Sequence, residues 1–477
     1  MIAAPDALAT EAALAPVRAA AAELEDGVWL VGGTVRDAVL GRALRDVDLA
    51  VAGDPERVAR AIARALGGPV FRLSERFGAW RVIDRASGRT CDVSPLQGES
   101  LHEDLSRRDF TANAMAVALA GGPLVDPFDG RGDLDAGIVR VLGPEAYSSD
   151  PLRPLRLARL ATELALEPDP ETERLTRAAA PLVVSASPER VWAELRRLVV
   201  ADRVLAGLEL SARLGLTAAV LPELEALRGV GQSRFHHLDV HSHTLEALRR
   251  LIELERDPAA VFGALAPALA TVLAEPLGDE LTRGEGLRFA ALLHDVGKPP
   301  TRAVRPDGRP TFFGHDAEGA GLVESLCRRL RTSERVRSFL SAVTRHHLRL
   351  GFLVHERPLS RRVVFRYLRA TEPVQVEVTV LSCADRLATR GGDAGPAIAK
   401  HLELAREMME DALRWRAEGP PAPPLRGDEL AEALGLRPGP EIGRLLAELE
   451  EAAYAGELSG RGDALELARR VRQDRSR

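Results

Sequence analysis

Residues 31–51 read VGGTVRDAVLGRALRDVDLAV, and this stretch decides the fold of the N-terminal part of the chain. Its pattern predicts a strand over 28–31, a turn at two glycines, a helix that ends near Gly41, and a second strand. We expect Thr34 to cap the helix, with Asp37 three residues later in an arrangement close to a capping box. Glycines before a helix N-terminus let backbone N–H groups approach a phosphate. The stretch therefore predicts a phosphate-binding corner.

Two aspartates follow on the second predicted strand. Side chains two residues apart share a face of a strand, so Asp46 and Asp48 are expected to point the same way, roughly 6.6 Å apart. Carboxylates beside a phosphate site suit Mg²⁺, which takes one or two carboxylates together with phosphate oxygens. The alternative is an exposed strand edge whose charges prevent association. Asp92, in TCDVS, is a candidate third carboxylate from a neighbouring strand, and the alternative is a plain aspartate beside a turn.

Composition limits the class of protein. A chain of 477 residues is too long for one ordinary core, so we expect three or more domains. Abundant Leu, Ala, Arg and Glu favour helices. The net charge of −6 does not indicate general polyanion binding, so a nucleic-acid site has to be a local basic patch.

The cysteines and the hydropathy pattern indicate a cytoplasmic protein. Cys91, Cys327 and Cys383 are widely separated and form no CxxC pair, as expected in a reducing compartment. The first 20 residues lack the basic start and apolar core of a signal peptide, and no run of 18 apolar residues predicts a membrane span.

Residues 149–160, SDPLRPLRLARL, suggest how a protein selects a base. Ser149 is expected to cap a helix that has Pro151 in its first turn. Asp150 precedes three arginines that recur on one face: Arg153, Arg156 and Arg159. An acceptor Asp beside a donor Arg matches the amino and ring-nitrogen edges of both cytosine and adenine, but not those of guanine or uracil. The alternative, in a chain this rich in arginine, is a solvated helix face.

Five motifs follow one another along the first 195 residues. The opening stretch is followed by EDLSRRDFTANAMAV (103–117), DPFDGRGDLDAGIVRVLG (126–143), SDPLRPLRLARLATEL (149–164) and SPERVWAEL (187–195). Together they resemble the class II tRNA nucleotidyltransferase and bacterial poly(A) polymerase family. The resemblance implies an α+β fold: a polymerase-β-like head with a small mixed sheet, then all-helical domains.

The resemblance also implies residue roles. Asp46 and Asp48 would be metal ligands, Asp150 and Arg153 the template for the incoming base, and Ser149 stands where the family usually has Glu. Arg156 and Arg159 would be supporting or phosphate contacts, and we place the ribose near Asn113. The full set of expected nucleotide-binding residues is Gly32, Gly33, Arg36, Asp37, Arg108, Asp109, Asn113, Asp150, Arg153, Arg156 and Arg159.

Most of the eleven histidines lie in the third quarter of the chain, within HHLDVHSH, LLHDVGKP, FFGHD and RHH. Their order resembles the HD phosphohydrolase superfamily. By that pattern a divalent transition metal would be held by His243, His294, Asp295 and Asp385. Imidazoles and carboxylates with open positions suit such an ion, which activates water for attack on a phosphate ester. A second metal or the phosphate would be bound by one of three further histidines, left unranked: His315, His346 and His347. The alternative for any single histidine is a structural role.

The expected domains are an N-terminal helical extension, the head, a helical neck, a helical HD domain and a small helical tail: 1–25, 26–144, 145–228, 229–417 and 425–477. The expected function is addition of CCA to tRNA 3′ ends from CTP and ATP by two-metal Mg²⁺ chemistry, with phosphatase or cyclic phosphodiesterase activity in the HD domain. Candidate tRNA phosphate contacts are Arg174, Arg177, Arg190, Arg196 and Arg197.

Three alternatives stay open. One is a poly(A) polymerase, or an enzyme that adds only CC or only A. A second is an HD phosphohydrolase whose inactive head binds RNA, and a third is an RNA-binding scaffold without catalysis. The sequence leaves open the HD metal, its natural substrate and the oligomeric state.

Overall fold

A computed structural model describes residues 8, 11, 14–22, 24, 27–44, 46–75, 78–232, 238–389 and 394–474. His236 and His237 of the histidine-rich region lie outside these residues. The chain divides into two compact units, Met1–Val220 and Leu221–Arg477. Within the described part of the chain, every helix is too short or too polar to cross a membrane.

A six-stranded mixed sheet forms the centre of the head. Its strands are β1 (Val28–Val31), β2 (Val47–Val51), β3 (Val70–Ser74), β4 (Ala79–Ile83), β5 (Thr90–Pro95) and β6 (Ala116–Ala118). Their order is β3-β4-β5-β2-β1-β6, in which β2 and β5 run parallel and the other neighbours are antiparallel. The predicted small mixed sheet is thereby confirmed, and TCDVS lies on β5 beside the strand that carries Asp48.

Five helices surround this sheet: α1 (Ala15–Ala22), α2 (Gly33–Val39), α3 (Pro55–Leu66), α4 (Leu101–Ser106) and α5 (Gly130–Asp135). A 3-10 turn spans Thr111–Asn113. The predicted cap of α2 is wrong, because the helix begins at Gly33 with Gly32 as its N-cap and no side-chain cap. Thr34 is already inside the helix. Its Oγ1 accepts a hydrogen bond from the Asp48 backbone N–H at 2.8 Å, which joins α2 to β2.

Before the neck comes β7 (Ile138–Val139), which pairs in parallel with β8 (Glu167–Pro168), a short strand within the neck. Its helices are α6 (Glu145–Ser149), α7 (Arg153–Leu164), α8 (Pro170–Ala179), α9 (Pro188–Val200), α10 (Val204–Arg213) and α11 (Leu216–Val220). A 3-10 helix spans Ala180–Ser185.

The predicted start of the template helix α7 is also wrong. Ser149 ends α6, Leu152 is the N-cap of α7, and Pro154 rather than Pro151 lies in the first turn. The physical reason is the proline at 151, which disfavours helical geometry in the residue before it. Asp150 is accordingly extended, and its carboxylate accepts the Leu152 N–H at 3.1 Å.

The second unit is largely helical. Its helices are α12 (Pro222–Glu225), α13 (Val240–Arg256), α14 (Ala259–Phe262), α15 (Ala266–Leu273), α16 (Arg283–Leu293), α17 (Lys298–Thr301), α18 (His315–Leu330), α19 (Glu334–His346), α20 (Arg349–Leu353), α21 (Arg361–Thr371), α22 (Gln375–Ala388), α23 (Ala394–Glu418), α24 (Gly427–Leu434), α25 (Pro440–Tyr454) and α26 (Arg461–Asp474). Two small hairpins interrupt them: β9 (Pro276–Gly278) with β10 (Leu281–Thr282), and β11 (Ala303–Val304) with β12 (Pro310–Thr311). Helix α13 packs against α16 and α22, and α18 packs against α19. The tail helices α24–α26 share a small core around Leu430, Leu445 and Leu449.

Candidate nucleotide-transfer and metal sites

The turn at Gly32 and Gly33, the glycine corner, lies directly against charged side chains of the head. Gly32 has a φ of 64°, which L side chains rarely adopt. A Cβ at Gly32 would lie 3.0 Å from Arg108 Nη1, and a Cβ at Gly33 would lie 3.4 Å from Asp48 Oδ2 and 3.5 Å from Arg36 Nη2. The corner, one of the two aspartates and two of the predicted nucleotide-binding arginines are therefore gathered in one place.

Three carboxylates lie along β2 and β5. Asp48 faces Asp92 across the parallel strands, because the two are partners in the register. Asp46 is exposed and comes just before β2, where it accepts hydrogen bonds from the Thr90 N–H at 3.2 Å and its hydroxyl at 2.7 Å. Arg81 donates to both oxygens of Asp92, at 2.7 and 2.8 Å. Asp92 is thus beside Asp48 rather than at a turn.

The environment of Asp48 suits a cation. Burial and the charge of Asp92 together raise the pKa of Asp48 to about 6, against the opposing effects of Arg108 and Arg36. A carboxylate that loses water beside a second carboxylate is destabilised in its charged form. A divalent cation among these oxygens would remove that repulsion, so the residues present fit Mg²⁺.

Arg108 is held by a buried carboxylate that the sequence analysis did not single out. Asp104 Oδ2 accepts from Arg108 Nε and Nη2 at 3.1 and 2.8 Å, while Asp104 Oδ1 accepts the Gln97 N–H at 2.9 Å. The side chain of Asp104 is only 4% exposed. The signal that could have identified it is its position four residues before Arg108, a spacing at which oppositely charged side chains can pair across a helical turn.

A chain of hydrogen bonds runs from the corner to the neck. Arg36 Nη1 donates to Asn113 Oδ1 at 2.7 Å, and Asn113 Nδ2 donates to Asp109 Oδ1 at 2.8 Å. Arg156 then donates to Asp109 Oδ2 at 3.2 Å. Burial alone would raise the pKa of Asp109, but Arg156 and the Asn113 hydrogen bond hold it below its usual value. Asp37 accepts from Arg36 at 2.9 and 2.8 Å, so it orients that guanidinium.

The two predicted template residues are already engaged at the start of α7. Asp150 Oδ2 accepts from Arg190 Nη2 at 2.6 Å. Arg153 Nη1 donates to the Arg108 carbonyl at 3.2 Å, and its Nη2 donates to the Arg107 carbonyl at 3.0 Å. Arg153 Nε is buried and, among the described residues, without a partner. The template segment is therefore hydrogen-bonded to the segment that carries Arg108.

The other arginines of α7 contact a glutamate of α9. Glu194 accepts from Arg156 Nε at 3.1 Å and also from Arg159 Nε. Arg159 is buried and donates to Glu163 as well, at 2.6 Å. These contacts favour a supporting role for Arg159. Further arginines proposed to contact tRNA phosphates pair with carboxylates on the surface: Arg174 with Glu171, Arg177 with Glu173, and Arg197 with Glu163.

In the second unit, α13, the C-terminal end of α16 and α22 bring the predicted metal ligands together. His243 Nε2 lies 2.8 Å from Asp385 Oδ1, and His294 Nε2 lies 3.2 Å from Asp295 Oδ2 and 4.0 Å from Asp385 Oδ1. His243, His294 and Asp295 are buried and could bind one ion together.

A second group uses the other oxygen of the same aspartate. His315 Nε2 lies 3.4 Å and His347 Nε2 3.8 Å from Asp295 Oδ1. This ranks the three histidines that the sequence left unranked, because His346 Nδ1 instead accepts from Arg349 Nε at 2.9 Å. Asp295 therefore lies between two potential metal positions.

One local geometry orients three of these imidazoles. The Nδ1 atoms of His294, His315 and His347 each lie within 2.8 Å of the carbonyl three residues earlier, as expected when Nδ1–H is the donor. Their Nε2 atoms are buried and have no hydrogen-bond partner among the described residues. A ligand histidine donates through one nitrogen and coordinates through the other. The cluster thus fits metal ions.

Comparison with known proteins identifies the domains that carry the two sites. Residues 28–140 match the Poly A polymerase head domain, 165–227 the probable RNA and SrmB-binding site of polymerase A, and 240–390 the HD domain. An A-adding tRNA nucleotidyltransferase of Deinococcus radiodurans is 37% identical over 91% of this chain and 92% of its own. A CC-adding tRNA nucleotidyltransferase of Thermus thermophilus is 35% identical over 91% of each chain.

This chain belongs to the tRNA nucleotidyltransferase and poly(A) polymerase family. The solved structure of a Thermotoga maritima CCA-adding enzyme complexed with tRNA shares the fold, with a TM-score of 0.60, 20% identity and 98% coverage of both chains. The family resemblance and the fold class expected from the motifs are both confirmed. The HD domain expected from the histidine order is confirmed as well.

Proposed function

We propose that this chain extends the 3′ end of tRNA from CTP and ATP, with CCA as the complete product. The observation that carries the proposal is the contact of the glycine corner with Asp48, Arg36 and Arg108, next to the Asp150–Arg153 segment. A triphosphate can approach the backbone at Gly32 and Gly33 and meet two guanidinium groups there.

Asp46 and Asp48 would hold Mg²⁺, with Asp92 as the third carboxylate. When bound, the ion neutralises the triphosphate and lowers the pKa of the attacking hydroxyl. Arg36 and Arg108 bind and orient the triphosphate for in-line attack by the RNA 3′-hydroxyl on the α-phosphate, with pyrophosphate as the leaving group.

Base selection would come from Asp150 and Arg153. In the binding-competent state the Asp150 carboxylate accepts from the exocyclic amine of C or A, and Arg153 donates to the adjacent ring nitrogen. Guanine and uracil would leave these buried groups unpaired, at a cost of about 1–3 kcal/mol for each. Arg190, now paired with Asp150, would have to release it or share it with the base.

The decisive assay supplies tRNA that lacks its 3′ terminus with each labelled nucleotide alone and with both together. Three added residues that end in A support the proposal, and a long ladder from ATP alone indicates polyadenylation. Asp46→Ala should abolish extension. If extension survives this change, the assignment of the head is wrong.

A second candidate is partial addition, of only CC or only A. The observation that favours it is the identity of 37% to an A-adding and 35% to a CC-adding relative over nearly the whole chain. In the same assay, addition that stops after two C residues, or a single A on tRNA that already ends in CC, would select this candidate.

We further propose that the histidine–aspartate cluster is a metal-dependent phosphohydrolase site. The Nε2 atoms of His294, His315 and His347 support it, since buried imidazole nitrogens that gather around Asp295 without a hydrogen bond are costly without an ion. When bound, a divalent transition metal supplies an activated water. Lys298 donates to Asp295 Oδ2 at 2.6 Å and so helps to keep that carboxylate ionised.

A metal-loaded chain should hydrolyse small phosphate esters such as ribonucleoside 2′,3′-cyclic phosphates. We expect His294→Ala to lose both this activity and tightly bound metal, as measured by elemental analysis. Retention of the metal by that variant would contradict the assignment.

A further inference from the structure

A large cavity opens beside the histidine–aspartate cluster of the second unit. Its volume is about 830 Å³, within the range of roughly 300–1,000 Å³ typical of small-ligand sites. Asp295, His315, His347 and Asp385 are among its lining residues. A ligand in this cavity can therefore reach the cluster directly.

Two phenylalanines line the same cavity with their rings exposed. Phe313 is 77% exposed and Phe352 is 65% exposed. The chain has only 4% aromatic residues, and among the phenylalanines that the structure describes elsewhere, Phe71 at 43% is the one other exposed ring. Large apolar side chains left in water beside a polar centre typically mark a binding surface.

The lining also offers cationic groups. Arg386 follows the cluster residue Asp385 and lines the cavity. Among the described residues its side chain has no hydrogen-bond or ion-pair partner. Lys298 also lines the cavity. Outside the lining, the guanidinium of Arg305 lies 5.7 Å from the Phe313 ring centroid, a cation–π contact. The cavity thus brings together exposed aromatic rings, the guanidinium of Arg386 and the histidine–aspartate cluster.

The spacing of these groups suits a nucleotide. Phe313 is two residues before His315, so their Cα atoms are at most about 7 Å apart. A phosphate bound at the cluster would leave its ribose and base pointing along the wall that carries Phe313.

We propose that Phe313 and Phe352 form a base-stacking subsite for a ribonucleotide ester, free or at an RNA end, with its phosphate at the cluster and Arg386. This inference rests on the proposed phosphohydrolase function and assigns the residues that recognise the substrate's base. In hydrolysis of a 2′,3′-cyclic phosphate, water adds its oxygen to phosphorus. One P–O bond to ribose breaks, and a proton passes to the released ribose oxygen.

Binding can be measured without turnover. The full chain, treated with EDTA so that the ester is not hydrolysed, is titrated with 2-aminopurine riboside 2′,3′-cyclic phosphate, whose fluorescence falls on stacking. We expect quenching in the wild type and a loss of affinity of about tenfold in Phe313→Ser and in Phe352→Ser. Phe71→Ser, which removes an exposed ring from the first unit, should bind like the wild type.

A base-free substrate separates stacking from loss of the site. Hydrolysis of glycerol 1,2-cyclic phosphate should be unchanged in both phenylalanine variants, while KM for adenosine 2′,3′-cyclic phosphate rises. Arg386→Gln should weaken both esters equally. The same titration with a short RNA that ends in a 2-aminopurine 2′,3′-cyclic phosphate identifies the source of the ester. Tighter binding of the RNA indicates an RNA end, and tighter binding of the mononucleotide indicates a free nucleotide.

Unaltered quenching in both phenylalanine variants, no binding by the wild type, or an equal loss with the base-free ester would each overturn the subsite. Quenching that depends on these rings in a chain that hydrolyses neither ester would support the subsite and contradict the hydrolase function instead.

Discussion

At the scale of single residues, Gly32 controls how closely the head can approach a ligand. Its backbone is left-handed, and a Cβ added there would lie 3.0 Å from Arg108, so a side chain at this position enters the space of the charged cluster. Gly41 has nearly the same φ, 66°, but nothing lies within 4 Å of its Cβ position. A side chain at Gly32 would meet both an unfavourable φ and the Arg108 guanidinium, whereas a side chain at Gly41 would meet only an unfavourable φ.

Gly32→Ala should reduce extension at least tenfold, whereas Gly41→Ala should only destabilise the chain. Both changes place an L side chain at a positive φ, at a cost on the order of 1–3 kcal/mol, but only the first puts a Cβ 3.0 Å from Arg108 Nη1. Steady-state kinetics with CTP and ATP, beside melting temperatures of both variants, test this. Equal losses of activity would mean that strain alone is responsible.

Asp104 is expected to act as a positioning residue for Arg108. Asp104→Asn weakens the paired hydrogen bonds that hold the guanidinium at the corner, so KM for the nucleoside triphosphate should rise about tenfold with a smaller change in kcat. The matched control is Glu103→Gln, which removes an exposed pair with Arg107 from the same helix. If both variants change KM alike, the effect belongs to α4 as a whole.

At the scale of elements, α7 and α9 are joined through a buried carboxylate. Burial alone would raise the pKa of Glu194, but Arg159 and Arg156 hold it below its usual value of 4.5. Because the folded state lowers this pKa, the pair stabilises folding above pH 4.5, and that contribution is lost as the pH falls through the folded pKa.

Glu194→Gln should destabilise the first unit by about 3 kcal/mol at pH 7, because the buried Arg159 and the half-buried Arg156 lose their shared counter-ion. As the pH is lowered below 4.5, the free energy of unfolding should fall less in the variant than in the wild type. Hydrogen exchange of the α7 and α9 amides reports this region alone. Glu171→Gln, which removes an exposed pair with Arg174, should change little.

At the scale of the whole molecule, the two sites lie in separate compact units. Asp48→Asn should abolish extension and leave ester hydrolysis intact, and His294→Ala should do the reverse. The measurements are the tRNA extension assay and phosphate release on the same preparations. Loss of both activities in either variant, with an unchanged melting temperature, would reveal coupling between the units.

The sequence by itself determined the elements and the kinds of chemistry. Strand periodicity and the glycine pair predicted β1, α2 and β2, and the order of motifs predicted a mixed-sheet head followed by helices. The strand and helix signals are local, since they depend on residues a few positions apart, whereas the motif order indicated the head through its resemblance to a family. The predicted caps at Thr34 and Ser149 failed because a side chain can bond to a distant backbone group, and because a following proline delays a helix.

Only the tertiary structure decided which side chains meet. The parallel register of β2 and β5 brings Asp92 opposite Asp48, and burial selects Asp104 and Glu194 as partners of arginines that the motifs had already identified. The helices converge so that His315 and His347 lie near Asp295. His346, next to His347 in the chain, instead accepts a hydrogen bond from Arg349. Such choices depend on contacts between residues tens of positions apart, whose geometry and desolvation no local pattern encodes.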